Sequence, residues 1–329
     1  LSLKFSLFLG IFIVLIFFVS YFVYALQPTF YSNQEIKLQI TKGESFREIG
    51  GKLSRSNLIR SITVFKMYAF LTGRAQNFKP GIYNLNYSMN VPSLVKTLTL
   101  GSQNDVAVTI PEGSSVKDIE FLLGKAGFNI DKKIENFPLN SLIADYPFLN
   151  QTLSLEGFLF PDTYKFNLES RPEDIIRKML DNFNKKAWPV LSQENDWYDT
   201  LILASLLEKE VVDFKDRQIV AGIILKRIKS GMPIQVDATI SYIKCQGQLI
   251  GCKNLLVTKK DLKITSPYNT YIRTGWPPTP INNPGLEAIK AALAPERSSY
   301  WYYLSSRKVK KTIFSKNLEE HNLNRAKHL

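Results

Sequence analysis

The sequence predicts an α+β protein with a membrane-spanning helix at its N-terminus, a small α+β subdomain and a larger, mixed but largely helical domain. Three observations carry this. Residues Phe5 to Leu26 run for 22 positions without a charge. Two segments with the same strand–turn–helix pattern follow, at an offset of 70 residues. From Glu156 onward the apolar spacing becomes helical and is broken by proline-rich turns.

A helix of 22 residues rises about 33 Å, enough for a hydrocarbon core of about 30 Å. A cleaved signal peptide has an apolar stretch of only about 7–15 residues and a small-residue cleavage site. This run is longer, and Val23-Tyr24-Ala25 fits such a site poorly, so a retained anchor over residues 5–26 is expected. Lys4 precedes the span and the first basic residue after it is Lys37. The excess of positive charge on the cytoplasmic side then leaves residues 1–4 inside and the rest outside a cytoplasmic membrane, in the periplasm or extracytoplasmic space.

In the repeat, Ile40, Gly43, Ser45, Ile49 and Leu53 correspond to Ile110, Gly113, Ser115, Ile119 and Leu123. Each copy reads as a short strand, a glycine turn and an amphipathic helix entered through a serine cap. One copy is too small for a core, so the two are expected to pack together in a region spanning 27–126. Between them, Ile62 to Leu71 reads as a helix, Lys79 to Leu85 as a turn feeding a strand, and Pro92 to Leu100 as a helix with proline in its first turn. This strand–helix–helix–strand order resembles a LysM module, a fold that grips N-acetylglucosamine-containing glycans in other proteins; a plain α+β spacer fits the pattern as well.

Residues 127–155 read as a connection and 156–329 as the larger domain. Its helices are expected over Arg171–Ala187, Tyr198–Val211, Asp216–Lys229 and Leu286–Leu293, with a hairpin pairing Tyr300–Leu304 and Lys311–Phe314 before a final basic helix. Thr265 to Pro284 holds five prolines and reads as a shaped loop.

Scarcity narrows the chemistry. The only histidines, His321 and His328, fall in the last ten residues, and no HExxH or Cys/His cluster occurs. Zinc hydrolysis and a histidine-based nucleophilic triad are therefore disfavoured, and no metal or cofactor is expected. Carboxylates are left to carry any chemistry. The formal charge of +13 fits nucleic acid, anionic lipid or an anionic wall polymer. Export and the lack of a nucleic-acid motif leave the last two. The two cysteines, Cys245 and Cys252, flank a Gly/Gln turn; a loop disulfide and two free thiols are both open.

Thr200 to Val211 is apolar nearly all round and ends in Glu208-Lys209-Glu210. Adjacent helical residues turn by about 100°, so the two glutamates point about 200° apart. Glu210 sits over Leu206 and Leu207, where apolar neighbours disfavour the ionised form, as a general acid requires. A solvated helix end explains the same residues. Glu156 and Asp162 lie in the aromatic segment LEGFLFPDTYKF, Gln235 and Asp237 in IQVDATISY, and Tyr268 and Asn269 in SPYNTYIRTGWPPTPINNPG. Carboxylates and amides among aromatic rings suit sugar binding; local turn capping and core filling suit them equally.

The stretches EGFLFPDTY, ASLLEKEV, VDATISY, SPYNTYIRTGWPPTPINNPG and IKAALAP, in that order, resemble the signature blocks of the YceG-like family of endolytic murein transglycosylases. No single block is specific; their succession along nearly the whole chain is. The resemblance implies a lytic enzyme that cuts inside peptidoglycan glycan strands and leaves 1,6-anhydro-N-acetylmuramic acid ends. It puts the catalytic acid/base on Glu210. Gln235, Asp237, Tyr268 and Asn269 are then expected to hold sugars, with Glu156 and Asp162 supporting the site. Penicillin-binding proteins and other wall-synthesis proteins become expected partners, and termination of nascent strands the expected role. The chain departs from the family pattern at Ala238, where a proline usually follows the aspartate, and in the Cys245–Cys252 segment. A hydrolytic muramidase using Asp162 or Asp237 as a second carboxylate and a non-catalytic glycan-binding scaffold are the rival readings.

Overall fold

The structure is a computed structural model that describes residues 3–32, 34–41, 43–101, 105–306 and 311–328; residues 1 and 2 of the expected cytoplasmic segment, and the side chain of Lys4, lie outside the described part. The fold is mixed α+β, with small two-stranded sheets among many helices. Two compact units form, one from residues 1–106 with 165–170, the other from 107–164 with 171–329.

The first unit begins with α1 (Leu3–Leu26), which is long and apolar enough to cross a membrane. From Leu9 to Tyr24 most of its apolar side chains are exposed, Phe17 to 73%. Next come β1 (Glu35–Ile40), α2 (Phe46–Arg55), α3 (Ile62–Leu71), β2 (Gly81–Asn86) and α4 (Val91–Leu100). β1 and β2 pair antiparallel from Glu35↔Asn86 to Ile40↔Gly81. Period-two alternation turns Leu38 and Ile40 of β1 inward beside Tyr83 and Leu85 of β2. Leu53, Phe65, Leu94 and Leu98 from the three helices close over them.

α2 starts where the sequence predicts. Ser45 accepts from the Glu48 N–H at 3.3 Å while the Glu48 carboxylate accepts from the Ser45 N–H at 2.7 Å. That reciprocal pair satisfies two otherwise orphaned donors. The second copy repeats the device: β3 (Asp105–Thr109) leads through Gly113, at φ +74°, to α5 (Val116–Lys125), where Ser115 and Asp118 form the same box. The copies nevertheless do not share a core. α5 belongs to the second unit, where its first N–H, that of Val116, donates to Glu156 and its Asp118 accepts from the Ile250 N–H.

β4 (Thr163–Asn167) pairs with β3, and the second unit continues with α6 (Pro172–Lys186), a short α7 (Trp188–Leu191), α8 (Trp197–Glu210) and α9 (Phe214–Lys229). α10 (Asp237–Lys244) and α11 (Leu286–Leu293) precede the hairpin β5 (Tyr302–Ser306) and β6 (Lys311–Ser315), and α12 (Leu318–His328) ends the chain. Every residue from Leu201 to Leu207 is buried, so α8 is the central helix of this unit, packed by α9 and α11. α10 is only eight residues long and opens on Asp237, and β4 is only five, so each repeats its period barely twice and its pattern does not stand out in the sequence.

The proline-rich loop is fastened to α8 by side chains that leave little freedom. The Ser205 hydroxyl accepts from the Ile281 N–H at 3.2 Å, and the Asn282 amide donates to the Ser205 carbonyl at 2.7 Å. Asn283 donates to the Ser114 carbonyl at 2.8 Å and accepts from the Leu159 N–H at the same distance. Gly157, at φ +94°, sits where a Cβ would come within 2.6 Å of Pro280. Backbone and proline ring meet there only because no side chain intervenes.

Candidate active site

Glu210 is the last residue of α8. Val211 breaks the helix with extended backbone (φ −142°, ψ 137°), and Asp213 then caps α9 by accepting from the Asp216 N–H at 3.0 Å. The glutamate is thereby placed on the wall of a cleft of about 560 Å³. Its side chain is packed among protein atoms but remains partly accessible from the cleft.

Burial is the main reason the Glu210 carboxyl is pushed up to about 7, and the neighbouring Asp237 adds to it. The negative end of the α8 dipole acts in the same direction. Two neighbours oppose them. The Ala238 N–H, in the first turn of α10, donates to Glu210 Oε1 at 3.3 Å and favours the ionised form. The Tyr303 phenol, whose hydroxyl is buried, also interacts with the carboxyl, although it makes no hydrogen bond of good geometry. Burial and the adjacent Glu210 hold the Tyr303 phenol well above its usual range, so it stays a donor.

The turn before α10 is built to present Asp237 and Ala238. Gln235 takes a left-handed conformation at φ +57°, which a non-glycine residue adopts only when its surroundings impose it. Here Thr270 imposes it: its carbonyl accepts from the Gln235 N–H and its hydroxyl from the Val236 N–H, both at 3.0 Å. The next residue, Tyr271, donates a short hydrogen bond to Asp237 Oδ1.

Of the residues singled out in the sequence, Glu210, Gln235 and Asp237 share this cleft. The structure does not bring the others to its wall. Glu156 is buried at the start of α5, accepting from the Val116 N–H at 3.0 Å and from Asn283 at 3.4 Å. Burial raises its carboxyl to about 8. Asp162 is paired with Lys186 at 2.7 Å and Asn182 at 2.8 Å, and these partners lower its pKa. The Tyr268 hydroxyl bonds Thr279 at 2.8 Å. Asn269 is fully buried, its amide donating to the Leu262 and Ile264 carbonyls and its oxygen accepting from the Tyr271 N–H. Both amide donors are thereby used within the loop. Its part is to shape the loop that carries Tyr271. Cys245 and Cys252 are joined in a disulfide with their Cα atoms 5.9 Å apart, at the end of α10.

The cleft also holds residues that the sequence did not put forward for the site: Tyr271, Tyr303, Arg227, His321 and Arg325. Tyr271 lay inside the aromatic loop already noted, but loop facing has no periodicity to read. Arg227, in the last turn of α9, has the spacing of an ordinary basic helix end, yet it is buried.

Glu208, two residues before Glu210, points elsewhere, as the helical rotation requires. It pairs with Arg217 at 2.9 Å, both side chains less than a tenth exposed, and accepts from the Gly285 N–H at 2.9 Å. Carboxylates on opposite sides of one helix end thus meet opposite fates: one neutralised by a buried arginine, one left beside an open cleft.

The arrangement of one protonatable, cleft-facing carboxyl with a second carboxylate and two phenols nearby suits acid/base chemistry on a polyhydroxylated ligand. Comparisons with known proteins point the same way. An endolytic murein transglycosylase of Bacillus subtilis is 31% identical over 91% of this chain and 86% of its own length. An endolytic murein transglycosylase of Streptococcus pneumoniae is 29% identical over 91% of this chain and 59% of its own length. A crystal structure of a YceG-like protein from Listeria monocytogenes superposes with a TM-score of 0.58 at 31% identity, covering 89% of this chain and 99% of that one. Residues 38–327 match the YceG-like family, and the chain belongs to it.

Proposed function

We propose that this protein is a membrane-anchored lytic transglycosylase that cuts within murein strands, with Glu210 as its acid/base. The observation that carries this reading is the Glu210 carboxyl itself: accessible from a cleft, yet held near pKa 7 by burial and by Asp237. At neutral pH a large fraction is protonated and ready to donate. The activity of the relatives, endolytic murein transglycosylases, agrees with it.

Glu210 donates its proton to the glycosidic oxygen between N-acetylmuramic acid and N-acetylglucosamine as the C1–O bond breaks through an oxocarbenium-like state. The muramyl C6 hydroxyl attacks C1, and the Glu210 carboxylate takes its proton. One bond forms and one breaks, the glutamate is regenerated, and the product ends in a 1,6-anhydro ring. The Ala238 N–H and the Tyr303 phenol stabilise the carboxylate between the two proton transfers. Gln235, Asp237 and Tyr271 hold sugar hydroxyls, while Asn269, Tyr268, Glu156 and Asp162 support the loops that place them.

α1 anchors the enzyme in the cytoplasmic membrane, with the cleft on the outer side beside nascent strands. The β1–α2–α3–β2 unit, LysM-like in its order of elements, adds a contact to glycan. Penicillin-binding proteins and other wall-synthesis proteins are the fitting partners for an enzyme that ends strand growth.

Asp237, in the same cleft, gives the hydrolytic alternative its one support, since a second carboxylate can activate water. Mass spectrometry of the new termini, after the full chain in detergent micelles has acted on uncrosslinked glycan strands, separates the readings. Anhydro ends that vanish in Glu210→Gln are expected. Free reducing ends would instead mark a muramidase, and intact strands from a folded protein a non-catalytic scaffold.

A further inference from the structure

Part of the cleft wall is basic, and the reaction above makes no use of it. Arg227 from α9 and His321 and Arg325 from α12 line the same cleft as Glu210. They lie close enough that the two arginines, after burial, help to lower the His321 pKa. Grouping such charges opposes folding unless something offsets them. Among the described residues, the arginine ion pairs involve Arg171, Arg177 and Arg217, and none engages Arg227 or Arg325.

The cluster is also held in place. Arg227 donates from Nε to the Trp301 carbonyl and from Nη1 to the Ile234 carbonyl, both at 2.9 Å, and its guanidinium lies 4.9 Å from the Tyr302 ring centre. The His321 ring stacks on the same tyrosine, with centroids 5.2 Å apart. These contacts are to neutral groups, so they orient the arginine without cancelling its charge. One buried polar atom here, His321 Nδ1, makes no hydrogen bond among the described residues, while the Tyr303 hydroxyl is already turned to Glu210. Buried polar atoms are rarely left so, and each costs free energy until a partner arrives. A guanidinium held by carbonyls, an imidazole with an open nitrogen and an exposed second guanidinium on the same wall are together complementary to an anion with several acceptor oxygens.

The polymer assigned to this cleft supplies such an anion on only one of its two alternating sugars. Each muramyl residue carries a lactyl ether whose carboxyl is either free or amide-linked to a peptide bearing carboxylates of its own; N-acetylglucosamine carries none. Tyr303 feels both Glu210 and Arg227, which puts the basic group next to the proposed acid. We infer that Arg227, His321 and Arg325 form a subsite for a carboxylate on the muramyl substituent, setting the register so that a muramyl C1, and not a glucosaminyl C1, meets Glu210. The inference rests on the proposed function and adds a specificity determinant to it.

Calorimetric titration of the full chain in micelles, carrying Glu210→Gln to prevent turnover, tests it. The probes are chitotetraose, a stem-free tetrasaccharide of alternating N-acetylglucosamine and N-acetylmuramic acid, its lactyl methylamide, and the same tetrasaccharide with peptide stems. Arg325 is exposed, so its replacement should leave the fold intact. Arg325→Gln is expected to weaken the carboxylate-bearing sugars about 10-fold or more, the scale of a charge-assisted hydrogen bond, with chitotetraose and the methylamide unchanged. Arg325→Lys should restore part of the loss, and His321→Gln should act in the same direction. A loss confined to the stem-free acid identifies the lactyl carboxylate, and a loss confined to the stemmed sugar identifies the peptide; either supports the subsite. Equal weakening of all four sugars, or indifference of the acidic ones to Arg325→Gln (including no binding of them at all), overturns it. Cleavage by the chain with Glu210 intact is read separately, so an inactive enzyme counts against the proposed reaction alone.

Discussion

The backbone N–H of Ala238 donates to Oε1 of Glu210 at 3.3 Å, so the first turn of α10 faces the last turn of α8 across a single carboxyl group. The negative end of one helix dipole and the positive end of another meet there. Burial and Asp237 favour the neutral acid, and this donor, with the Tyr303 phenol, favours the carboxylate. A residue that must give a proton and then take one back needs both forms within reach.

Ala238→Pro removes that donor while keeping a residue compatible with the first turn of a helix, where the N–H has no intrahelical partner. The Glu210 pKa should rise by about one unit, since a hydrogen bond to a charged group is worth roughly 1.5–3 kcal/mol and one unit about 1.4. The alkaline limb of the rate–pH profile should move up by that amount, with the melting temperature unchanged at pH 4.5, where Glu210 is neutral in both proteins. Ala238→Gly should leave the limb where it is. A limb that stays put in the proline variant would show that the N–H does not tune the acid.

Stability should fall as pH rises from the ordinary glutamate value of 4.5 toward about 7 and 8, the values to which burial pushes Glu210 and Glu156. In that window the folded chain binds more protons than the unfolded chain, so the stabilisation is complete below 4.5 and lost as each folded pKa is passed. Glu210→Gln fixes the neutral form. It should match the parent's melting temperature at pH 4.5 and exceed it at pH 8; thermal unfolding across this range decides, and a variant less stable at pH 8 would contradict the assignment.

Glu208→Gln should cost about 3–5 kcal/mol in chemical denaturation, because it leaves the buried Arg217 guanidinium without its counter-charge. Restoring neutrality with Arg217→Met in the same chain should recover part of that loss. Glu210→Gln, by comparison, should abolish cleavage without a loss of this size, separating the structural glutamate from the chemical one only two positions away.

Much of this was readable in the chain itself. The uncharged run of α1, the apolar circumference of α8, the serine caps at Ser45 and Ser115 and the glycine turns before them depend on neighbours within a few residues. Local propensity and periodicity therefore specify them. The rotation between Glu208 and Glu210 is equally local, and it already separated their directions. What lay beyond reach was every fact that depends on which segments meet. α5 shares the repeat's local pattern with α2 but joins the other unit, because Glu156 and the residues around Cys245–Cys252 bind it there. Asn269 and Tyr271 stand two positions apart in one loop, and only the fold shows that the first is consumed by carbonyls while the second reaches Asp237. Arg227, His321 and Arg325 come from helices nearly a hundred residues apart, and nothing in either helix marks them as partners. Short-range physics determined the elements and the residue type that bears the acid. Long-range packing decided its pKa and its company, because burial and electrostatic neighbours are properties of the assembled chain.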